Sequence, residues 1–308
     1  MFRSLTHHIR FNNVGSGRYS SILVYFISSS MSMKENSTKP VEAFVKPFSQ
    51  RVRLLTMNVR FVWWLGHVVV TTSSIIYFLK RPFSYSDSKP WYYLAYVGTL
   101  VSYGMALWKA YGIPKFNTIF AQKIIDDENV QYFVMTVIWL LSSPVLITLI
   151  PFSIYSSFHV IDFIRTAILP VLAPSVNHHA APGQSQTIFQ QVSTAIKRFE
   201  DAYYERCMGS ISYIEVLGVV LIILKETLTL RISPLAILFY ANFLRLRYVT
   251  SPHIRQVFGE IRTRMDKWLL PPTASPKIPA YVANAYTIFR DNLIRLGEKS
   301  LMRAHKTK

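Results

Sequence analysis

Apolar residues in this chain come in blocks of about twenty, and that block length limits the fold more than any other feature. A helix rising about 1.5 Å per residue needs about 20 apolar residues to cross a hydrocarbon layer of roughly 30 Å. The first block is "VRFVWWLGHVVVTTSSIIYFL", residues 59–79, bounded by Arg60 and by Lys80 and Arg81, with Trp63, Trp64 and Tyr77 placed as interface anchors. The second is "WYYLAYVGTLVSYGMALWKAY", residues 91–111, in which Gly98, Ser102 and Ala106 recur every four residues. Such a small-residue stripe allows another helix to approach closely, although chance small residues would look the same. A third run, 130–172, carries only Asp162 and Arg165 as formal charges and is too long for one span. Pro144 and Pro151 are its breakpoints, and the expected division is 131–150 and 152–171 with a tight turn at Pro151.

Composition agrees with a membrane protein. Of 308 residues, 51% are hydrophobic and only 16% charged, below the usual charge of a soluble domain. The expected fold is all-α: a polytopic integral membrane protein with about four transmembrane helices (51–172), a polar link with an amphipathic helix (173–210), a short membrane hairpin (211–244) and a basic amphipathic tail (245–308). The hairpin reading comes from two short apolar runs, "ISYIEVLGVVLIIL" and "ISPLAILFYANFL", each too short for a full span and separated by "KETLTLR". One ordinary span followed by an interfacial piece would fit the same residues. In the helix before them, Ile188, Val192, Ile196, Phe199 and Tyr203 share a face.

The formal charge is +18. Lys and Arg lie in the flanks and tail of apolar blocks, so the anionic leaflet of a membrane is the favoured partner over nucleic acid, at about 1 kcal/mol per basic residue near the surface. The single cysteine, Cys207, excludes an internal disulfide. Residues 1–33 hold Arg3, Arg10 and Arg18 and no acid, as in a mitochondrial transit peptide; the alternative is that translation begins at Met31 or Met33 and residues 1–30 are a gene-model extension. Residues 1–50 are expected to form a disordered basic leader, with a glycosylation sequon at Asn36. Phe116, Ile119, Phe120 and Ile124 form an amphipathic link, and basic residues at both ends of the chain put both termini in the cytosol.

Two segments are candidates for function. His159, Asp162 and Arg165 lie at i, i+3 and i+6 on one side of a helix. They form either an intramembrane relay, as in a small ion or solute transporter, or a helix end where the chain leaves the lipid. The helix-end reading is favoured because a relay needs partners in facing helices, and the spans otherwise offer His67 and, near an edge, Glu215. The second candidate is the tail. Residues 251–308 hold eleven Lys or Arg against four acids. One stripe there is Ile254, Val257, Phe258, Ile261, Met265, Trp268 and Leu269, for which packing and membrane contact stay equally open. The other is Val282, Tyr286, Phe289, Leu293 and Leu296, flanked by Arg290, Arg295, Lys299 and Arg303, the pattern of a helix that binds anionic membrane. No phosphate-binding loop, nucleophile elbow or zinc-spaced set occurs, and His178 and His179 read as solvated, so no enzyme activity, cofactor or metal is expected.

"YGIPKFNTIFAQKIIDDENVQYFVM", "SSPVLITLIPFSIYSSFHVIDF" and above all "FYANFLRLRYVTSP" resemble the transmembrane-protein-thirty-three family, with its fungal pore-membrane proteins and tetra-spanning reticulum protein of fission-yeast type, over roughly residues 50–272. The resemblance implies a protein of the endoplasmic reticulum and nuclear envelope. It implies work alongside reticulon-type shaping proteins, an effect on nuclear pore distribution, and a C-terminal helix that meets membrane and an import receptor. Val282 to Arg303 would fill that last role.

Overall fold

The structure, a computed structural model, describes residues 46–112, 124, 127–174, 187–274 and 278–306, and the side chains as far as Met302. The expectations for the leader, the Asn36 sequon, the amphipathic link at 116–120 and His178-His179 lie outside the described residues. All regular structure among the described residues is helical: α1 (Phe48–Thr56), α2 (Val59–Lys80), α3 (Tyr85–Tyr111), α4 (Glu128–Leu141), α5 (Leu146–Leu172), α6 (Ile188–Leu228), α7 (Leu235–Thr250), α8 (Pro252–Leu269) and α9 (Ala280–Lys306). Among those residues α2, α5 and α6 are each long and apolar enough to cross a membrane.

Helices α2 to α7 form three antiparallel hairpins whose turns, at 81–84, 142–145 and 229–234, all lie at one end of the bundle. Pairing fixes this arrangement. Tyr77 of α2 meets Tyr92 of α3, Tyr92 meets Thr148 of α5, and Ile147 of α5 lies over Gly218 of α6. Four helices start at the opposite, open end, and each has a side-chain cap there: Asn58 for α2, Asp127 for α4, Ser251 for α8, and Thr187 for α6, where Gln190 completes a capping box. Polar caps satisfy the first amides of these helices where they begin. The core is strongly aromatic, with Tyr77, Tyr92, Tyr96, Trp139 and Leu149 almost fully buried.

The small-residue stripe of α3 does admit a neighbouring helix. Gly98 and Ser102 face Gly66 of α2, and the Ser102 hydroxyl donates to the Trp63 carbonyl at 3.2 Å. A β-carbon at Gly98 would sit 2.8 Å from the Gly66 carbonyl oxygen.

Two expectations need correction. The break in the third apolar run falls at 142–145, and Pro151 lies buried inside α5. Local chemistry explains the choice. Pro144 biases Ser143 away from helix, the Ser142 hydroxyl donates to the Ile138 carbonyl, and Thr148 donates to the Val145 carbonyl. Tyr93 donates to the Ser142 carbonyl from α3. Helix α4 is therefore only 14 residues long, about 21 Å. Within this turn the Ser142 and Val145 carbonyls are thus satisfied by protein donors.

The second correction concerns the hairpin. Its first limb is not a separate 14-residue piece: α6 runs unbroken for 41 residues, with a π-helical stretch at Ile214–Val219. Val216, Val219 and Ile223 on one limb and Tyr240, Phe243 and Leu244 on the other belong to the main core. The hairpin is thus part of the bundle.

Gly98→Leu should destabilise the purified protein by about 1–3 kcal/mol, the usual range for overpacking, seen as a lower thermal midpoint in detergent. Gly104→Ala, whose new carbon would meet Phe133 at an ordinary 3.7 Å, should leave the midpoint unchanged.

Candidate functional site

Ionisable groups inside the bundle occupy two places. His159, Asp162 and Arg165 lie toward the open end. The Trp64 indole donates to the Val160 carbonyl at 3.4 Å, which sets this stretch beside the first turns of α2. Arg165 donates to Asp162 at 2.5 Å and to Glu200 of α6 at 3.1 Å. His159 packs 5.0 Å from Trp63 and 4.6 Å from the ring of His67, whose Nδ1 is 3.0 Å from the Ser156 hydroxyl. Arg165 thus has acids on two helices, and His67 faces His159 as a partner from another helix. His67 was visible in the sequence; Glu200, placed on the polar side of an amphipathic helix, was not connected to this site.

The deeper place was missed. Arg247 of α7 is 4% exposed and Glu215 of α6 is 2% exposed. The Arg247 guanidinium pairs with Glu128 of α4 at 3.0 Å and with Glu215 at 3.7 Å, and stands 5.3 Å over the Tyr132 ring. Tyr132 donates to Glu215 at 2.7 Å, Arg247 donates to the Tyr155 hydroxyl at 3.4 Å, and Tyr240 donates to the Glu215 backbone carbonyl at 2.9 Å. A signal existed: an acid in "ISYIEVLGVVLIIL" requires a buried cation, and "FLRLR" supplies one on the next helix. Among the described residues no group of three His, Cys, Asp or Glu could hold a metal ion.

The two tail helices differ. In α8, Ile254 and Val257 are buried and Phe258 and Ile261 pack on the core, which settles that stripe as mainly a packing face, with Trp268 left outside. The predicted face of α9 is divided. Tyr286 and Arg290 turn toward Asp266 of α8, at 2.7 and 3.1 Å, and Val282 is half-buried. Gly297 packs against Tyr248, and Ser300 lies 3.5 Å from Arg245. Phe289 (62% exposed), Leu293 (45%) and Leu296 (49%) face outward with Arg295 and Lys299 beside them. The Arg303 side chain is outside the described set.

Electrostatics at this contact favour charge. Burial would raise the Asp266 carboxyl, but hydrogen bonds from Tyr286 and Arg290 outweigh it and hold the group below the usual carboxylate range. Burial, reinforced by Asp266, pushes the Tyr286 phenol up to about 12, so it remains a donor.

An all-helical bundle of apolar hairpins, capped at its open end by basic amphipathic helices, defines a polytopic membrane protein. The chain belongs to the Transmembrane protein 33/Nucleoporin POM33 family, which matches residues 43–299. It is 27% identical over 266 residues to Tetra-spanning protein 1 of Schizosaccharomyces pombe, covering 84% of this chain and 91% of that one. It is 28% identical over 270 residues to the Pore membrane protein of 33 kDa of Saccharomyces cerevisiae, covering 83% and 90% respectively. Against the Transmembrane protein 33 homolog of Dictyostelium discoideum the identity is 23%, covering 72% of this chain and 67% of that one. No solved structure matches.

Arg247→Ala strands two carboxylates in the bundle and should cost about 3–5 kcal/mol of stability; the combined Glu215→Leu and Arg247→Met variant should recover part of that in the same thermal assay. Because the Asp266 carboxyl is held low, its contribution to docking is present above the ordinary value of 3.8 and is lost only as pH falls through its depressed value. The protection factors of α9 amides, exchange rates taken relative to the intrinsic rate at each pH, should therefore stay constant from neutral pH down to about 4.

Proposed function

We propose that this protein shapes and organises membrane of the endoplasmic reticulum and nuclear envelope, has no enzymatic activity, and influences the distribution of nuclear pore complexes or the remodelling of the envelope. The observation that carries the reading is α9: an outward apolar face of Phe289, Leu293 and Leu296 beside Arg295 and Lys299, on a helix outside the bundle. Apolar side chains enter the boundary between headgroups and acyl chains while the cations meet lipid phosphates. Insertion from one side only expands that leaflet and bends the bilayer.

Relatives named as pore membrane protein and nucleoporin support the placement at the nuclear envelope. Nucleoporins, an import receptor and reticulon-type proteins are the partners this reading assigns, with anionic lipid and no nucleic acid. This reading puts both termini in the cytosol on the strength of the basic tail with Arg51, Arg53, Arg60 and Lys109 at the open end, set against Lys80, Arg81, Lys89, Lys225 and Arg231 about the turns.

Fluorescent tagging at the native locus tests the location. A nuclear rim with cortical reticulum is the expected pattern, and signal confined to mitochondria, vacuole or plasma membrane would overturn the reading. The surface is tested with the full chain in nanodiscs, on a Cys207→Ser background with a fluorophore at Asn292→Cys. Quenching by lipid-borne nitroxide should appear with anionic lipid. Arg295→Gln with Lys299→Gln should remove about 2 kcal/mol of that attraction.

A further inference from the structure

The docking of α9 uses the side chains that a lipid phosphate would use. One oxygen of Asp266 accepts from the Tyr286 phenol at 2.7 Å and from the Arg290 guanidinium at 3.1 Å, while the guanidinium stands 5.8 Å from the Tyr286 ring. A phenol and a guanidinium converging on a single anionic oxygen is a donor set equally suited to a phosphate oxygen. The second acid near Arg290, Asp291 at 3.0 Å, belongs to α9 itself and cannot anchor the helix to α8.

The C-terminal half of α9 is held separately, by packing on α7, where Ser300 is buried. Gly297 rests on Tyr248, and Ser300 reaches Arg245 at 3.5 Å. The outward half of the helix is apolar and cationic, so the docked state leaves a lipid-binding face exposed while occupying Tyr286 and Arg290. Asp266 would not be stranded by undocking, since Arg262 lies one turn before it on the same face of α8.

We propose that Asp266 stands in for an anionic lipid phosphate: in the docked fold it holds Tyr286 and Arg290, and headgroup phosphate displaces it, so that the N-terminal half of α9 exchanges its contact with α8 for the bilayer surface. This rests on the lipid reading of α9 and adds its control. The contact is then autoinhibitory, released in proportion to the anionic lipid around the protein. An Asp266 carboxyl kept ionised and a Tyr286 phenol kept protonated are the states such an exchange requires.

The test uses the full chain with Cys207→Ser and spin labels at Thr263→Cys on α8 and Ile288→Cys on α9. In phosphatidylcholine nanodiscs one short separation is expected, and discs containing phosphatidylserine should add a longer one. Asp266→Asn should raise the long population about three- to tenfold in phosphatidylcholine alone, the scale of a partly exposed charged hydrogen bond. Asp291→Asn should leave it unchanged. Inorganic phosphate added to neutral discs should have little effect; release by free phosphate equal to that by phosphatidylserine would overturn the lipid assignment. An unchanged separation in phosphatidylserine, or an Asp266→Asn protein docked like the parent, overturns the latch. If the Asn292→Cys probe is then still quenched by lipid, the lipid reading of α9 stands without the latch; if it is not, both fall.

Discussion

Arg247 ties together three segments that are far apart in sequence. Glu128 lies in the first turn of α4, Glu215 in the π-helical stretch of α6, and Arg247 near the end of α7. Charges buried in an apolar bundle are tolerated only when each has its partner, so the three helices must be in register together or not at all. A π stretch leaves backbone carbonyls without their usual partners, and Tyr240 meets that of Glu215. The hairpin of α6 and α7 is thereby committed to the bundle, and its depth is set by α4.

This commitment separates two parts of the molecule. The hairpins form a fixed aromatic core, cross-linked by Tyr132, Tyr155 and Tyr240 around the ion pair. The tail joins it from outside: α8 through buried Ile254 and Val257, α9 through polar contacts to Asp266 and the packing of Gly297 and Ser300 on α7. A rigid bundle with an amphipathic helix docked on its outside suits a protein that holds its position in a membrane while one element responds to the lipid around it.

Sequence reading reached the helical class, the membrane environment, α2 within a residue, and the close approach at Gly98 and Ser102, because each rests on local periodicity or block length. It failed where tertiary contact decides. Pro144 and Pro151 look alike as helix breakers, and what the local bonds about 142–148 cannot supply is Tyr93, which reaches the Ser142 carbonyl from α3. The α6 limb looked short because block length counts apolar residues alone, whereas the helix continues through a polar stretch that packs on α5 through Phe158 and Arg165. The tail stripe was read from composition and spacing alone, whereas Tyr286 and Arg290 turn inward because Asp266, a helix away, offers an oxygen to both.

All three hairpin turns lie at one end, and this bears on how the chain enters a membrane. Among the described residues, only the turns at 81–84, 142–145 and 229–234 and their flanking residues need to pass to the far side. Each hairpin can insert as a pair of helices already in contact, with its backbone groups satisfied before they reach hydrocarbon. Inserted in that way, the caps at Asn58, Asp127, Thr187 and Ser251 would stay on the side from which the hairpins enter.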